Sequence, residues 1–266
     1  MKVETSWGTI SAIDEGDGPA IVLLHPLAQC GEFWRPLIDE LSPQFRVLAP
    51  DARGHGASNW NGEPFSVLDM ASDVAALLSH AGESAAAVLG MSMGGCTAIA
   101  LSARRPELVS RLVLADTTAD YGPDKEKAWA ARALTAVEKP REQQLGFQHD
   151  RWFSPHFLEA GSAEVARVSE LFLATDSEAH AAASRALGGY NDVALLPTIK
   201  APTLVVVGDE DYATPPDMAR ALEQGIPGAE LEILPETRHL SLIQNRAVWP
   251  RVIAHLTGAG GHEDSP

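Results

Sequence analysis

Cysteine is scarce in this chain: only Cys30 and Cys96 occur. Two cysteines cannot build a disulfide framework, and neither stands in a C-x-x-C or zinc-ligand spacing. A reducing, cytoplasmic setting is therefore expected. Positive charge is scarce too. Lysine and arginine number 20 against 36 aspartates and glutamates, a formal net charge of −16. Such an excess repels phosphate backbones and anionic headgroups, so neither nucleic acid nor a membrane surface is expected as a partner. Long apolar runs are missing, and nothing reaches the roughly 20 residues that a membrane-spanning helix needs. The stretch MKVETSWGTI lacks the apolar core of a secretory signal. There is no H-E-x-x-H, no clustered His/Asp metal motif and no G-x-x-x-x-G-K-[ST], so no metal or other cofactor is expected.

What the chain does have is a core. Hydrophobic residues make up 45% of its 266 positions, enough for one large domain or a core carrying an insertion. A hairpin is expected around Ile10 to Ile13. Unbroken apolar runs at Ala20–Leu24, Phe45–Ala49, Ala85–Leu89, Leu112–Ala115, Thr203–Val207 and Glu230–Leu234 read as strands buried on both faces. Between them, Ser66–Ala81 carries helical spacing at Leu68, Ala71, Val74, Ala75 and Leu78 and ends at Gly82. Met93–Arg104 is small and apolar and is stopped by Pro106. Alternating strands and helices predict an open, mostly parallel, doubly wound α/β sheet.

The alternation breaks between about residues 119 and 196. Helix-like stretches at Lys125–Glu138, Arg141–Gln148, Ala163–Ala174 and Ser177–Leu187 follow one another there without strands. The division expected is a core of residues 1–118 and 196–258, an inserted helical cap of 119–195, and a frayed tail of 259–266.

Gly90-Met91-Ser92-Met93-Gly94 places a serine between a buried strand and a helix. A nucleophile must sit on such a sharp turn, and flanking glycines let neighbouring backbone approach it closely. Acyl transfer also needs donors aimed at the oxygen that becomes negative, each worth roughly 3–4 kcal/mol. The backbone N–H of Met93 is one candidate. The other lies in His25-Pro-Leu-Ala-Gln29; Pro26 has no N–H, so Leu27 is named. Of nine histidines, His239 follows the last strand by a short loop and can reach back to Ser92 as the base. Asp211, in Gly208-Asp-Glu-Asp211 after the preceding strand, is the orienting acid, with Asp116 as its rival. The chain order Ser…Asp…His suits a hydrolase of this layout. Serine at position 92, where an aspartate would suggest alkyl-enzyme chemistry, points to an acyl-enzyme.

Taken together, His25-Pro-Leu, Asp51-Ala-Arg-Gly-His-Gly-Ala-Ser58, Gly90-Met-Ser-Met-Gly-Gly95, Arg105-Pro-Glu-Leu-Val-Ser-Arg-Leu-Val-Leu114 and Gly208-Asp-Glu-Asp211 resemble the α/β-hydrolase superfamily over nearly the whole chain. Within it the chain is most similar to 3-oxoadipate enol-lactonases, on Trp129-Ala-Ala-Arg132, Arg151-Trp-Phe-Ser-Pro-His-Phe157 and His239-Leu-Ser241. It differs late in the cap, where Gly188-Gly-Tyr-Asn-Asp192 replaces an Arg-Asp pair. The resemblance implies a small-molecule ester or lactone substrate, and a homo-oligomer is compatible with it. An anionic lactone needs a cation, which Arg132 and Arg151 can supply unless both are occupied by cap carboxylates. Trp129 and Trp152 are candidates for the substrate wall, or equally for cap core. A general carboxylesterase and a cofactor-free perhydrolase of the same fold are the competing enzymes. A receptor-like member binding a small ligand under the cap is the non-catalytic alternative.

Overall fold

The structure is a computed structural model that describes residues 1–259, so the expected frayed tail lies outside the described residues except for Ala259. The chain begins with β1 (Lys2–Glu4), β2 (Thr9–Glu15), β3 (Ala20–Leu24), α1 (Arg35–Leu41) and β4 (Arg46–Pro50). It continues through α2 (Val67–Ala81), β5 (Ala86–Met91), α3 (Met93–Arg104) and β6 (Val109–Ala115). Five helices then follow in succession: α4 (Lys125–Glu138), α5 (Arg141–Trp152), α6 (Pro155–Glu159), α7 (Ala163–Ala174) and α8 (Ser177–Gly188). The alternation resumes with β7 (Thr203–Gly208), α9 (Pro216–Gly225), β8 (Glu230–Leu234), α10 (Ser241–Gln244) and α11 (Trp249–Thr257).

The eight strands form one sheet in the order β1-β2-β4-β3-β5-β6-β7-β8. β2 pairs antiparallel with β1 and β4, and every other neighbour is parallel. The expected hairpin is displaced: Ile10 and Ile13 share one strand, and the turn lies at Thr5–Gly8, where Thr5 N–H donates to Gly8 O at 2.8 Å. β8 departs from the buried reading as well, because it is an edge strand and is half-exposed.

Side chains alternate across the sheet and fill two cores. Ala86 and Val88 of β5 face the layer formed by α2 and α3, while Ala87, Leu89 and Met91 face α1 and α11. α2 starts at a capping box in which Ser66 and Asp69 bond each other's backbone amides. Its buried stripe runs Val67, Met70, Ala71, Val74, Leu77 and Leu78. Leu68, expected inside, is 43% exposed. The true stripe begins one residue earlier, and a step of 100° carries Leu68 off the core face.

β3 leads to β4 on one side and is flanked by β5 on the other, so strand order reverses between β3 and β5. In open α/β sheets the loops at the carboxyl ends of such a pair diverge and leave a crevice. Here those loops are 25–29 after β3 and the Ser92 turn after β5.

Candidate active site

Ser92 joins β5 directly to α3 with φ 54° and ψ −114°, a conformation an L-residue adopts only under constraint. The constraint is visible. Ser92 N–H donates to Ala115 O at 2.9 Å, and its carbonyl accepts from Cys96 N at 3.0 Å and Thr117 Oγ1 at 2.8 Å. A Cβ on Gly94 would stand 2.2 Å from Leu24 O, so only glycine lets α3 begin against the end of β3.

His239 sits in the loop between β8 and α10. That loop crosses directly over the end of β7: a Cβ on Gly208 would meet Thr237 O at 2.1 Å. The crossing brings His239 Nε2 to 2.9 Å from Ser92 Oγ and His239 Nδ1 to 2.8 Å from Asp211 Oδ2. Asp211 is buried and receives three more hydrogen bonds, from Ala213 N (2.7 Å), Thr214 N (3.1 Å) and Thr214 Oγ1 (2.7 Å). Burial raises its pKa, but the charge of His239 and these hydrogen bonds outweigh burial and hold the carboxyl below its usual range. The rival Asp116 faces elsewhere. Its oxygens accept from Gly208 N, Ser241 N and Ser241 Oγ at 3.2, 3.1 and 2.6 Å, and burial and then the Asp211 charge push its pKa well up.

The loop after β3 is a turn closed by Gln29 N–H to Pro26 O at 3.2 Å, with Ala28 at φ 58°. His25 braces it, donating from Nδ1 to Pro26 O at 2.8 Å and accepting Ala52 N–H on Nε2 at 2.9 Å. The Leu27 N–H has no protein acceptor. Met93 is the first residue of α3, where no helix carbonyl can take its N–H. The same turn is tied to α7 and to the residue after it. Ala28 O accepts from Thr175 Oγ1 at 3.0 Å, Gln29 Nε2 donates to Val168 O at 3.3 Å, and Arg167 donates to Glu32 O and Phe33 O at 2.9 and 3.1 Å.

Leu27, Ser92 and His239 line a small cavity. Trp129, Arg132, Arg151 and Trp152 line it from α4 and α5. All four are thus brought to the triad, and both tryptophans are also buried core residues. α5 runs on to Trp152, four residues past the helix expected at Arg141–Gln148, and carries Arg151 in its last turn. Neither arginine meets a carboxylate within 4 Å among the described residues. Arg132 lies over the Trp129 ring at 4.6 Å. Arg151 is only 6% exposed, its side chain makes no hydrogen bond among the described residues, and burial pushes it down from its ordinary pKa.

Two further residues of the cavity, Gln148 and His180, were not singled out by the sequence. A signal was present in α5: Gln144, Gln148 and Arg151 fall on one helical face, and that polar face is buried. In α8, His180 stands alone among small residues, Ala179 and Ala181–Ala183.

A serine on a strand–turn–helix, with a histidine and a buried aspartate reaching it from later loops at the carboxyl edge of a parallel sheet, is the arrangement of an α/β hydrolase. A model of the α/β-hydrolase fold matches residues 19–246. The chain is 30% identical to 3-oxoadipate enol-lactonase 2 of Acinetobacter baylyi over 245 residues, 92% of this chain and 89% of that protein. Its structure is similar to that of a hydrolase from Pseudomonas aeruginosa PA01, with a TM-score of 0.91 at 28% identity over 97% of this chain and 98% of the other. It is also similar to the enol-lactonase from Burkholderia xenovorans LB400, with a TM-score of 0.88 at 29% identity, covering 94% and 97% of the two chains. The protein belongs to the α/β-hydrolase family and is a hydrolase with enol-lactonases among its relatives.

Proposed function

We propose that the protein hydrolyses a carboxylic ester or lactone bearing a second, anionic carboxylate, through an acyl-enzyme on Ser92. One observation carries this reading: the unbroken hydrogen-bonded line Asp211–His239–Ser92, at 2.8 and 2.9 Å, opening on a cavity that holds an unpaired, buried guanidinium. His239 Nε2 takes the Ser92 proton as Oγ bonds to the substrate carbonyl carbon. Asp211 fixes the proton of the neutral imidazole on Nδ1 and stabilises the imidazolium. The N–H groups of Leu27 and Met93 receive the oxyanion. Collapse of the intermediate breaks the acyl C–O bond, and His239 returns its proton to the departing oxygen. Water then attacks the acyl-enzyme by the same route in reverse order.

Arg151, with Arg132 at the rim, receives the remote carboxylate. Without an anion a buried guanidinium has lost its water and gained nothing, which is costly. The enol-lactone of 3-oxoadipate is the substrate that the relatives suggest. Residues 119–195 act as the cap over it. The two cysteines are free, and no described helix is long and apolar enough to cross a membrane; we place the protein in the cytoplasm on the cysteines.

The test compares wild type with Ser92→Ala on p-nitrophenyl acetate, a neutral lactone and an anionic enol-lactone, without added metal. Wild type is expected to prefer the anionic lactone, and the variant to lose at least roughly 10³-fold in kcat. A variant as active as wild type would remove Ser92 from the chemistry. Turnover of neutral esters alone would retain the triad and discard the anionic substrate.

A further inference from the structure

His180 projects from α8 into the cavity that contains Ser92, and it also lines an outer basin with Lys139 and Phe147. Its Nδ1 lies 2.7 Å from Arg141 Nη1. A guanidinium has donors and no acceptor. Nδ1 must therefore accept, and the single proton of the neutral ring stands on Nε2. Among the described residues that N–H has no acceptor, although the residue is buried. Arg141 itself is unusual. Among the described residues it has no carboxylate within 4 Å; its other contacts are Phe172 O and the Phe172 ring, 3.8 Å from the guanidinium carbon, and its Nε is buried without a partner. Asp176 and Glu142 act on this half-buried cation only at a distance, and its direct partners are a carbonyl, a ring and an imidazole.

We propose that His180 is a neutral Nε2–H donor to the carboxylate of the substrate, and that Arg141 is the positioning residue that fixes this tautomer. The inference rests on the anionic-substrate reading above and extends it to residues outside the triad. Gln148, buried on α5 with no side-chain hydrogen bond, lies in the same cavity as Arg151. Together the three present a guanidinium, an amide and an imidazole N–H, all donors, to one anionic group. A neutral donor has an advantage over a second cation at this place. Arg141, His55 and Arg151 all face His180 electrostatically, and with burial acting first they push its pKa down to about 3. The donor therefore keeps its proton count across the neutral range while Arg151 supplies the charge.

The test uses the full chain labelled with 15N-histidine, glutarate as an unreactive dicarboxylate probe, and p-nitrophenyl acetate as a neutral substrate. His180 is identified in long-range 1H–15N spectra by its loss in His180→Gln. Wild type is expected to show His180 solely as the Nε2–H tautomer, with glutarate shifting that resonance. Arg141→Met is expected to mix the tautomers and to raise the glutarate inhibition constant by the reciprocal of the remaining Nε2–H fraction, about twofold or more. Arg141→Lys, which can still donate to Nδ1, should recover part of the loss. An Nδ1–H tautomer or an imidazolium in wild type would overturn the inference, as would a His180 resonance that ignores saturating glutarate. The wild-type spectra decide the matter even if Arg141→Met does not fold. They also need no turnover, so a protein inert towards every ester would end the hydrolytic reading and leave the tautomer result standing.

Discussion

Two buried carboxyls, Asp211 and Asp116, feel each other's charge and respond in opposite directions. Asp211 has His239 to compensate it and stays ionised; Asp116 has only neutral donors and is pushed up. Asp211→Asn should therefore lower kcat by about 10⁴-fold, because the amide no longer holds the imidazole in the useful tautomer. Asp116→Asn should cost about 1–3 kcal/mol of stability through a misplaced amide donor, without a loss of that size in kcat. Paired ester kinetics and denaturant melts separate the two. At this scale the serine, the aspartate and the histidine that the structure brings within hydrogen-bond distance were legible from the Gly-x-Ser-x-Gly turn, the chain order and their places after strands. Gln148, His180 and Arg141 were not, because their roles arise between helices distant in sequence. Thr214, which holds Asp211, was missed for the opposite reason: a threonine three residues from an aspartate is too common a pattern to notice.

Among the elements, α2 shows how a correct helix can be read with its face turned. Apolar spacing placed the helix and much of its buried face, Ala71, Val74 and Leu78, but it admits Leu68 as readily as Val67 and Leu77, and only packing decides. Leu77→Ala should destabilise by about 2–5 kcal/mol, since the side chain is fully enclosed. Leu68→Ala should stay within about 0.5 kcal/mol, and urea melts of the pair measure the difference. The six strands from β3 onward were legible to within a few residues because unbroken apolar runs have few other uses. The helix start after His239 is legible as α10, whereas the short helices α1 and α6 are too brief to show a period. α9 and α11, longer and begun at Pro216 and Trp249-Pro250, offered a proline signal that went unread.

For the whole molecule, protons and salt are the informative variables. Burial before all else pushes His25 down to about 4, and His55 and His180 to about 3. The unfolded chain protonates each near its ordinary value of about 6.5, so between there and about pH 4 it binds protons that the folded chain refuses. Stability is thus complete above about 6.5 and declines as pH falls, by up to about 1.4 kcal/mol per unit for each histidine. Thermal melts from pH 8 to pH 5 should show Tm dropping towards acid, and a flat profile would contradict neutral burial. Salt acts through the net charge of −16, which repels an anionic substrate at long range. Exposed charges are screened beyond about 10 Å at 0.1 M salt, whereas the attraction of buried Arg151 is screened far less. The kcat/KM for an anionic ester should therefore rise between 10 and 150 mM salt while that for a neutral one stays level; a fall would show the cationic lining of the cavity dominating at long range. Strand order was not written in the sequence, since pairing β4 beside β2 and β3 joins residues far apart along the chain.

The bonds from Thr175 and Gln29 between the end of α7 and the turn after β3 have a consequence for timing. The turn that holds Leu27 is anchored on α7 and the residue after it, so an outward shift of that helix must break these bonds or drag the turn with it. On the proposed mechanism, loosening at α7 would therefore also displace the amide meant for the oxyanion and couple entry of a substrate to the competence of Ser92.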